Sequence, residues 1–446
     1  MIPPCLPGPF LARMEALLGR EYPAFCEACA GPALRGVRRN PLKCTEETLL
    51  RSLPMGLTPT PFAPTAYYAD WAEGFGRLPA HHAGMFYAQE PSAASAVTAL
   101  DPQPGERVLD LCAAPGGKST QIAGALAGKG LLWANEIVRS RTGALLSNLE
   151  RLGVANAVVS SCHPQTLCEG LRGFFHRVLV DAPCSGEGMF RREPKAAEEW
   201  SPEHVAACAQ RQRAILGSAA LAVAEGGVLV YSTCTFSPEE NEETVAAFLA
   251  AHPEFIAEEI PAPFGRSDRN GGPARRVYPM DGGEGHFVAR FRRVGENPCQ
   301  AGRFSRQALP KALAEQAQEL YRALFTDEPP QRIAQVKETL LCLPEDLPDL
   351  RGLGVLRAGV ELCQVRKGRL EPAHGLFMSR QGSLCREALD FSPESRSLAA
   401  FLRGEELDCP GKGYRAVLVN GITVGFGKAA GGRLKNHYPK GLRDLR

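Results

Sequence analysis

Between Glu106 and Ser237 the chain alternates short apolar runs with stretches of helical periodicity, and this alternation restricts the fold more than any other feature of the sequence. Runs at 107–112, 130–135, 154–160, 177–181 and 228–232 have the length and β-branched content of buried strands. Between them, 116–126, 138–152 and 202–225 repeat apolar residues at helix spacing, with Leu145, Leu149 and Leu152 on one face. Strands that alternate with helices bury both faces of a parallel sheet, so a doubly wound α/β core is expected. Gly226 and Gly227 are read as the stop of the long helix. The stretch Ser237-Pro-Glu-Glu240 is read as a capping box, with Ser237 as N-cap and Glu240 reaching back.

In a sheet of this kind, ligands bind outside the carboxyl ends of the strands. Four places are selected by that rule. The first strand runs into Asp110-Leu-Cys-Ala-Ala-Pro-Gly-Gly-Lys118, a turn whose Cys112, Ala113, Ala114, Pro115, Gly116 and Gly117 present backbone to a ligand ahead of Lys118. The turn has neither the GxGxxG spacing of a pyrophosphate cradle nor the GK[ST] ending of a P-loop, so a nucleoside ligand without pyrophosphate fits it better. Glu136 follows the second strand, where a carboxylate accepts from ribose hydroxyls. Together they point to S-adenosylmethionine rather than a dinucleotide. The remaining two strand ends are Val178-Leu-Val-Asp-Ala-Pro-Cys-Ser-Gly186 and Val228-Leu-Val-Tyr-Ser-Thr-Cys234, and each delivers a thiol among polar neighbours.

A chain of 446 residues exceeds one core, so several domains are expected: an N-terminal extension over 1–90, the α/β core over 91–295, an intermediate segment over 296–375 and a terminal domain over 376–446. After residue 306 a helical, partly acidic segment is expected to run to about residue 350. Residues 276–279 and 285–290 are expected to close the sheet as a hairpin. The net charge of +2 excludes a nucleic-acid footprint spread over the whole chain. From Pro410 to Arg446, however, eight Lys and Arg stand against one acid, Asp444, among short β-like runs. An upstream basic run, Arg35, Arg38, Arg39, Lys43 and Arg51, reads as a solvated face. Fifteen irregularly spaced cysteines argue for a reducing cytoplasm, and no metal is expected, because Cys26 and Cys29 lack two further ligands at zinc spacing. The longest apolar stretch is too short to span a bilayer, and no membrane association is expected.

The three motifs Asp110–Lys118, Asp181-Ala-Pro-Cys184 and Ser232-Thr-Cys-Thr-Phe-Ser-Pro-Glu-Glu-Asn-Glu242 resemble those of the Nop/Sun RNA cytosine-5 methyltransferases, and among these the chain is most similar to the RsmF-like bacterial ribosomal RNA enzymes. The likeness extends to 17–22, 84–92, 425–428 and 434–443, so it covers most of the chain. It implies a class I Rossmann-like core with an N-terminal α/β extension and a PUA-like β-rich C-terminal domain that contacts RNA. It also implies S-adenosylmethionine as methyl donor, held by the turn from Cys112 to Lys118, by Glu136 and by Arg141, with Asp181 alongside. By the same resemblance Cys234 is the nucleophile that adds to C6 of cytosine, Asp181 assists at N3, Cys184 releases the product, and Lys118 sits near the base and Asp181. Gln89 and Ser92 are either part of the base pocket or a helix cap. The resemblance also leads one to expect an aspartate near the adenine, and here the chain has Ser161-Cys-His163 instead, so His163 is the candidate there.

The activity implied is formation of 5-methylcytidine in small-subunit (16S) ribosomal RNA by a cytoplasmic monomer. Two other readings are a methyltransferase acting on an amino group or on transfer RNA, which needs no thiols, and an RNA-binding assembly factor without catalysis.

Overall fold

The computed structural model describes residues 6–71, 73–305 and 309–443. Asp444 and Arg446, counted above in the basic tail, lie outside the described residues. Four sheets organise the described residues. Strands β1 (Gly36–Arg39), β2 (Leu57–Pro59), β3 (Ala66–Ala69) and β4 (Phe86–Gln89) form an antiparallel sheet in the order β2-β3-β1-β4. Ahead of it, helices Gly8–Leu18 and Tyr22–Ala30 bury Phe10, Met14 and Phe25.

The central sheet carries the site. Its parallel strands are β5 (Arg107–Asp110), β6 (Leu131–Asn135), β7 (Ala157–Ser160), β8 (Phe175–Asp181) and β9 (Val223–Thr233). They are extended by β10 (Phe255–Glu258), β11 (Arg266–Ser267), β12 (Arg275–Val277) and β13 (His286–Arg293), with β12 and β13 antiparallel, which is the expected closing hairpin. The path through the sheet is β11-β12-β13-β9-β8-β5-β6-β7-β16, in which β16 (Val355–Ala358) comes from far downstream.

Side chains alternate across this sheet as the pleat requires. Leu109, Trp133, Val178, Val180, Leu229 and Tyr231 face a core completed by Ile215, Leu216 and Ala219 of helix Pro202–Ala222. Val108, Leu132, Ala134, Leu179 and Val230 face the opposite core, closed by helices Ser95–Leu100, Gly117–Leu126 and Thr142–Arg151. Both faces are covered, which is why the strands read as near-continuous apolar runs.

Three local expectations are corrected. The long helix ends at Ala222 rather than at the glycine pair: Val223 already pairs with Phe175, and Gly226 turns within β9 at φ 70° beside an irregularity in the ladder. The helix after residue 306 spans only Lys311–Leu324. Beyond Pro329-Pro330, which cannot continue it, β14 (Ile333–Val336) and β15 (Thr339–Cys342) pair with β17 (Val360–Arg366) and β18 (Arg369–Pro372) in a separate sheet. The basic run in the N-terminal sheet is not wholly a solvated face either, because Arg38 and Lys43 are buried.

The last sheet has five strands between Ala388 and Asn436. It shares one apolar cluster with the N-terminal sheet, Val37, Tyr67 and Phe86 meeting Phe401, Val424 and Tyr438, and a second with the intermediate segment, Tyr321, Phe325 and Leu362 joining a core in which Phe377 stacks on Phe426 at 4.4 Å. The N-terminal sheet and the last sheet are therefore packed together. Among the described residues no helix is long and apolar enough to cross a membrane, and no cluster of His, Cys, Asp or Glu is arranged to hold a metal.

Candidate active site

The carboxyl ends of β5, β8 and β9 converge. Asp110 closes β5 fully buried, accepting from Ser119 Oγ at 2.6 Å, and burial pushes its carboxyl up to about 7. The chain then turns through Gly116 at φ 109°, a conformation open to glycine, and enters helix Gly117–Leu126 with Lys118 in its first turn. Lys118 Nζ reaches across to Asp181 Oδ2 at 2.8 Å, at the end of β8, and Asp181 Oδ1 accepts from Ser232 Oγ of β9 at 2.8 Å. Burial alone would lower the Lys118 ammonium, but the Asp181 charge and hydrogen bond, with Cys234 and Asp110 nearby, hold it above its ordinary range.

The two thiols meet in front of this pair. Cys184 Sγ lies 3.3 Å from Cys234 Sγ and accepts from the Cys234 backbone N–H at 3.4 Å. The hydrogen bond to Cys234, then burial, then the charge of Cys234 push the Cys184 thiol well up. Cys184 is therefore a thiol in the resting site.

Two buried glutamates fix the loops that carry the thiols. Glu187 Oε2 accepts from Thr235 Oγ1 and the Phe236 and Ser237 backbone N–H groups at 2.7, 2.7 and 2.9 Å, and its Oε1 accepts from Ser237 Oγ and Trp200 Nε1 at 2.6 and 2.9 Å. Glu240 accepts from Ser185 N at 3.0 Å, from Ser185 Oγ and from Gln212 Nε2 at 2.7 Å. The capping box read at Ser237 and Glu240 is thus replaced: both side chains turn inward to brace the loops, and the helix begins later, at Glu242. Its first residue is clamped by Arg276, whose guanidinium binds both Glu242 oxygens.

The N-terminal sheet supplies a further brace. Arg38 donates to Gly117 O at 2.6 Å, Gln89 Oε1 at 2.9 Å and Thr120 Oγ1 at 2.7 Å, tying β1 to the turn that carries Lys118. Gln89 is therefore at the site, and it is Glu90, not Ser92, that caps the short helix after it, accepting from Ser92 N and Ala93 N at 2.8 Å each. Ser92 is buried between Glu90 and His286, its Oγ 2.6 Å from Glu90 Oε1 and 3.3 Å from His286 Nδ1.

Beside the thiols a cavity of about 360 Å³ is lined by Cys112, Glu136, Ile137, Arg141, His163 and Pro183 among others. Four of the residues expected at a nucleoside are brought together here. Of the turn, Cys112 lines the cavity, while Ala113 and Ala114 are buried and Pro115 is exposed. Ala114 O and Pro115 O are occupied by Arg141 Nη2 at 2.7 Å and Asn148 Nδ2 at 2.9 Å, which hold the turn in place. Glu136 is buried. Its Oε1 accepts from Val138 N at 2.8 Å, and its Oε2, 3.1 Å from Arg141 Nη1, accepts no hydrogen bond from the protein. A buried acceptor left open at a strand end fits a ribose diol. Sequence reasoning did not find Glu187, the brace made by Arg38 or the role of Glu240; Glu187 and Glu240 were marked only by nearness to the cysteine motifs, and Arg38 only by its place in the basic run.

Comparison with known proteins agrees with this geometry. Residues 97–292 match the family model for 16S rRNA methyltransferase RsmB/F. Residues 6–91, 315–379 and 388–444 match the models for the RsmF N-terminal domain, first C-terminal domain and PUA domain. The ribosomal RNA small subunit methyltransferase F of Cronobacter sakazakii is 32% identical over 98% of this chain and 96% of its own length, and that of Klebsiella pneumoniae is 33% identical over 98% and 96%. A methyltransferase homolog protein from Pyrococcus horikoshii shares the fold at a TM-score of 0.57 and 28% identity, over 64% of this chain and 94% of that one. NSun6 from the same organism, solved with SFG, has a TM-score of 0.58 at 24% identity, over 65% and 99%. The chain belongs to the RsmF family of ribosomal RNA small subunit methyltransferases.

Proposed function

We propose that this protein makes 5-methylcytidine in small-subunit ribosomal RNA with S-adenosylmethionine as methyl donor, through a bond between Cys234 Sγ and C6 of the target cytosine. One observation carries the reading: two thiols 3.3 Å apart stand before a Lys118–Asp181 ion pair, beside a cavity with an open buried carboxylate. Cytosine C5 is a poor nucleophile, and addition of a thiolate at C6 makes it enamine-like. Cys234 loses its proton as it adds, and N3 gains one through Asp181, which Lys118 and Ser232 hold in place. Cys112, Glu136, Arg141 and His163 line the cavity for the cofactor, which when bound supplies an electrophilic methyl group.

Cys184 then has a defined moment to act. Two of the three leading causes that hold the Cys184 thiol up come from Cys234, and bonding of that sulfur to C6 weakens them while burial continues to act. Cys184 takes the C5 proton, after which the Cys234–C6 bond breaks, the thiolate of Cys234 leaves, and N3 returns its proton through Asp181 to that thiolate.

A base within structured RNA must leave its stack to reach these thiols. On the C-terminal sheet Lys428 pairs with Tyr414 on one side and Lys435 on the other, and its ammonium lies 5.1 Å from the Tyr414 ring. This row combines charge for phosphate with an aromatic face for a base. The protein acts in the cytoplasm as a monomer, and the domain limits 1–90, 91–295, 296–375 and 376–446 belong to this reading.

The test is transfer of labelled methyl from S-adenosylmethionine to small-subunit ribosomal RNA, with the product mapped by bisulfite sequencing. The wild type is expected to yield 5-methylcytidine and Cys234→Ser none. Full activity in Cys234→Ser would favour methylation of an amino group instead.

A further inference from the structure

Parallel pairing sets Asp181 of β8 opposite Ser232 of β9, so the loops that leave these strands run side by side and bring Cys184 to Cys234. Their sulfurs lie 3.3 Å apart. A disulfide bond is about 2.05 Å long, so the two sulfurs have only about 1.3 Å to close. The loops are held in this position from both sides. Cys234 O accepts from Gly188 N at 2.9 Å, Glu240 accepts from Ser185 N at 3.0 Å, and Glu187 accepts from Phe236 N at 2.7 Å. Joining the thiols therefore asks for a turn of their side chains and for no movement of the strands. Both residues are half-buried, open to a small solute.

A thiol with a second thiol in contact has a chemistry that an isolated one lacks, because its sulfenic acid is captured before it is oxidised further. We propose that Cys184 and Cys234 are also a reversible oxidation site, at which a hydroperoxide closes them into a disulfide and a small thiol reopens them. Cys184 is a thiol in the resting site, so Cys234 Sγ is the sulfur that meets the hydroperoxide. A sulfur–oxygen bond forms, the oxygen–oxygen bond breaks, and the peroxide leaves reduced to an alcohol or to water, with Cys234 as the sulfenic acid. Cys184 Sγ then attacks the Cys234 sulfur, the sulfur–oxygen bond breaks, and the departing hydroxide takes the Cys184 proton to leave as water. Two equivalents of a small thiol reverse the bridge by exchange and carry off the oxidising equivalents as their own disulfide. That the bridge forms rests on the geometry of the pair; that it stops methyl transfer rests on the roles given to the two thiols above.

Brief exposure of the full chain to hydrogen peroxide, followed by iodoacetamide and non-reducing peptide mass spectrometry, tests it. The expected product is a pair of peptides joined through Cys184 and Cys234. Methyl transfer to small-subunit ribosomal RNA is expected to fall about tenfold or more as that pair appears, and to return with dithiothreitol. Affinity for S-adenosylhomocysteine is expected to stay within about twofold, because neither thiol lines the cofactor cavity. In Cys184→Ala the same treatment is expected to carry Cys234 on to the sulfinic acid, which dithiothreitol does not reverse and which the mass of its peptide reports without any need for activity. Wild-type protein in which Cys234 reaches the sulfinic acid with no linked pair, or in which either thiol bonds elsewhere instead, overturns the inference and leaves the proposed reaction in place. A linked pair that forms while methyl transfer continues undiminished overturns the roles given to the two thiols, and with them the control that the bridge would exert.

Discussion

The Sγ atoms of Cys184 and Cys234 lie 3.3 Å apart, and the Cys234 backbone N–H also points at the Cys184 sulfur, 3.4 Å away. Protons on such a pair are coupled. Removing the partner as Cys234→Ala takes away the leading cause of the raised Cys184 ionisation. Alkylation of Cys184 by iodoacetamide, followed by peptide mass spectrometry between pH 6 and 9, is expected to speed up and to shift its midpoint downward in that variant. An unchanged profile would mean that burial alone sets the Cys184 thiol.

Glu187 gathers five donors from the segment just after Cys234 and from Trp200. Glu187→Gln turns one acceptor into a donor facing donors, and about 2–4 kcal/mol of stability is expected to be lost. Methyl transfer is expected to fall more than tenfold while S-adenosylhomocysteine affinity, read by calorimetry, stays within twofold. Glu187 does not line the cofactor cavity, so an equal loss of both would point to general unfolding instead.

Arg38 is buried, and its contacts at the turn are all to neutral acceptors, Gly117 O, Gln89 Oε1 and Thr120 Oγ1. Arg38→Ala removes three hydrogen bonds, leaving Gly117 O with Thr120 Oγ1 alone at 3.0 Å among side-chain donors, and is expected to cost about 2–4 kcal/mol in urea unfolding. Arg38→Lys is expected not to restore the loss, because an ammonium cannot span three acceptors as a planar fork does. A change below about 0.5 kcal/mol would place Arg38 outside the brace of the Lys118 turn.

Asp110 gives the stability a pH dependence of known sign. Burial raises its folded value to about 7, from an ordinary value of 3.8. Between these values the folded chain binds a proton that the unfolded chain has released, so the contribution is full below about 3.8 and is lost as pH rises through 7. Asp110→Asn removes this titration. Urea unfolding at pH 5, 6, 7 and 8 is therefore expected to show the variant gaining on the wild type as pH rises, by an amount on the order of a few kcal/mol. Parallel curves would contradict the assignment.

On the C-terminal sheet, Lys428→Glu with Lys435→Glu is expected to weaken RNA binding and to flatten its salt dependence by roughly one to two in log–log slope, leaving cofactor affinity unchanged. Charge reversal is the suitable test. Truncating the tail would strip Leu434 and Tyr438 from the cluster they share with the N-terminal sheet and unsettle that sheet too.

The central sheet was legible because Val178, Val180, Leu229 and Tyr231 face one core while Leu179 and Val230 face the other, leaving an apolar run that periodicity detects. The site was legible in outline because strand ends mark it, which is how Asp110, Glu136, Asp181, Cys184 and Cys234 were found. What failed was local inference where distant partners compete. Ser237 and Glu240 have the spacing of a capping box, yet Glu187 and Gln212, far away in sequence, take their side chains. Arg38 and Lys43 looked like surface charge because nothing near them in sequence shows that Gly117 O and Met378 O await them in the interior. The helix expected to reach residue 350 failed for a related reason: Leu340 pairs with β17, Ile333 pairs with β15 beside it, and both are buried in the core around Phe377, none of which a local period records.

The most direct test of the account is the covalent bond itself. Cys184→Ala, with Cys234 intact, should add to its RNA and fail to let go. Incubation with S-adenosylmethionine and small-subunit ribosomal RNA, followed by denaturing electrophoresis, is predicted to show a protein–RNA species that survives denaturant and disappears in Cys184→Ala with Cys234→Ala. A Cys184→Ala protein that turns over normally with no retained RNA would contradict the division of labour between the two thiols.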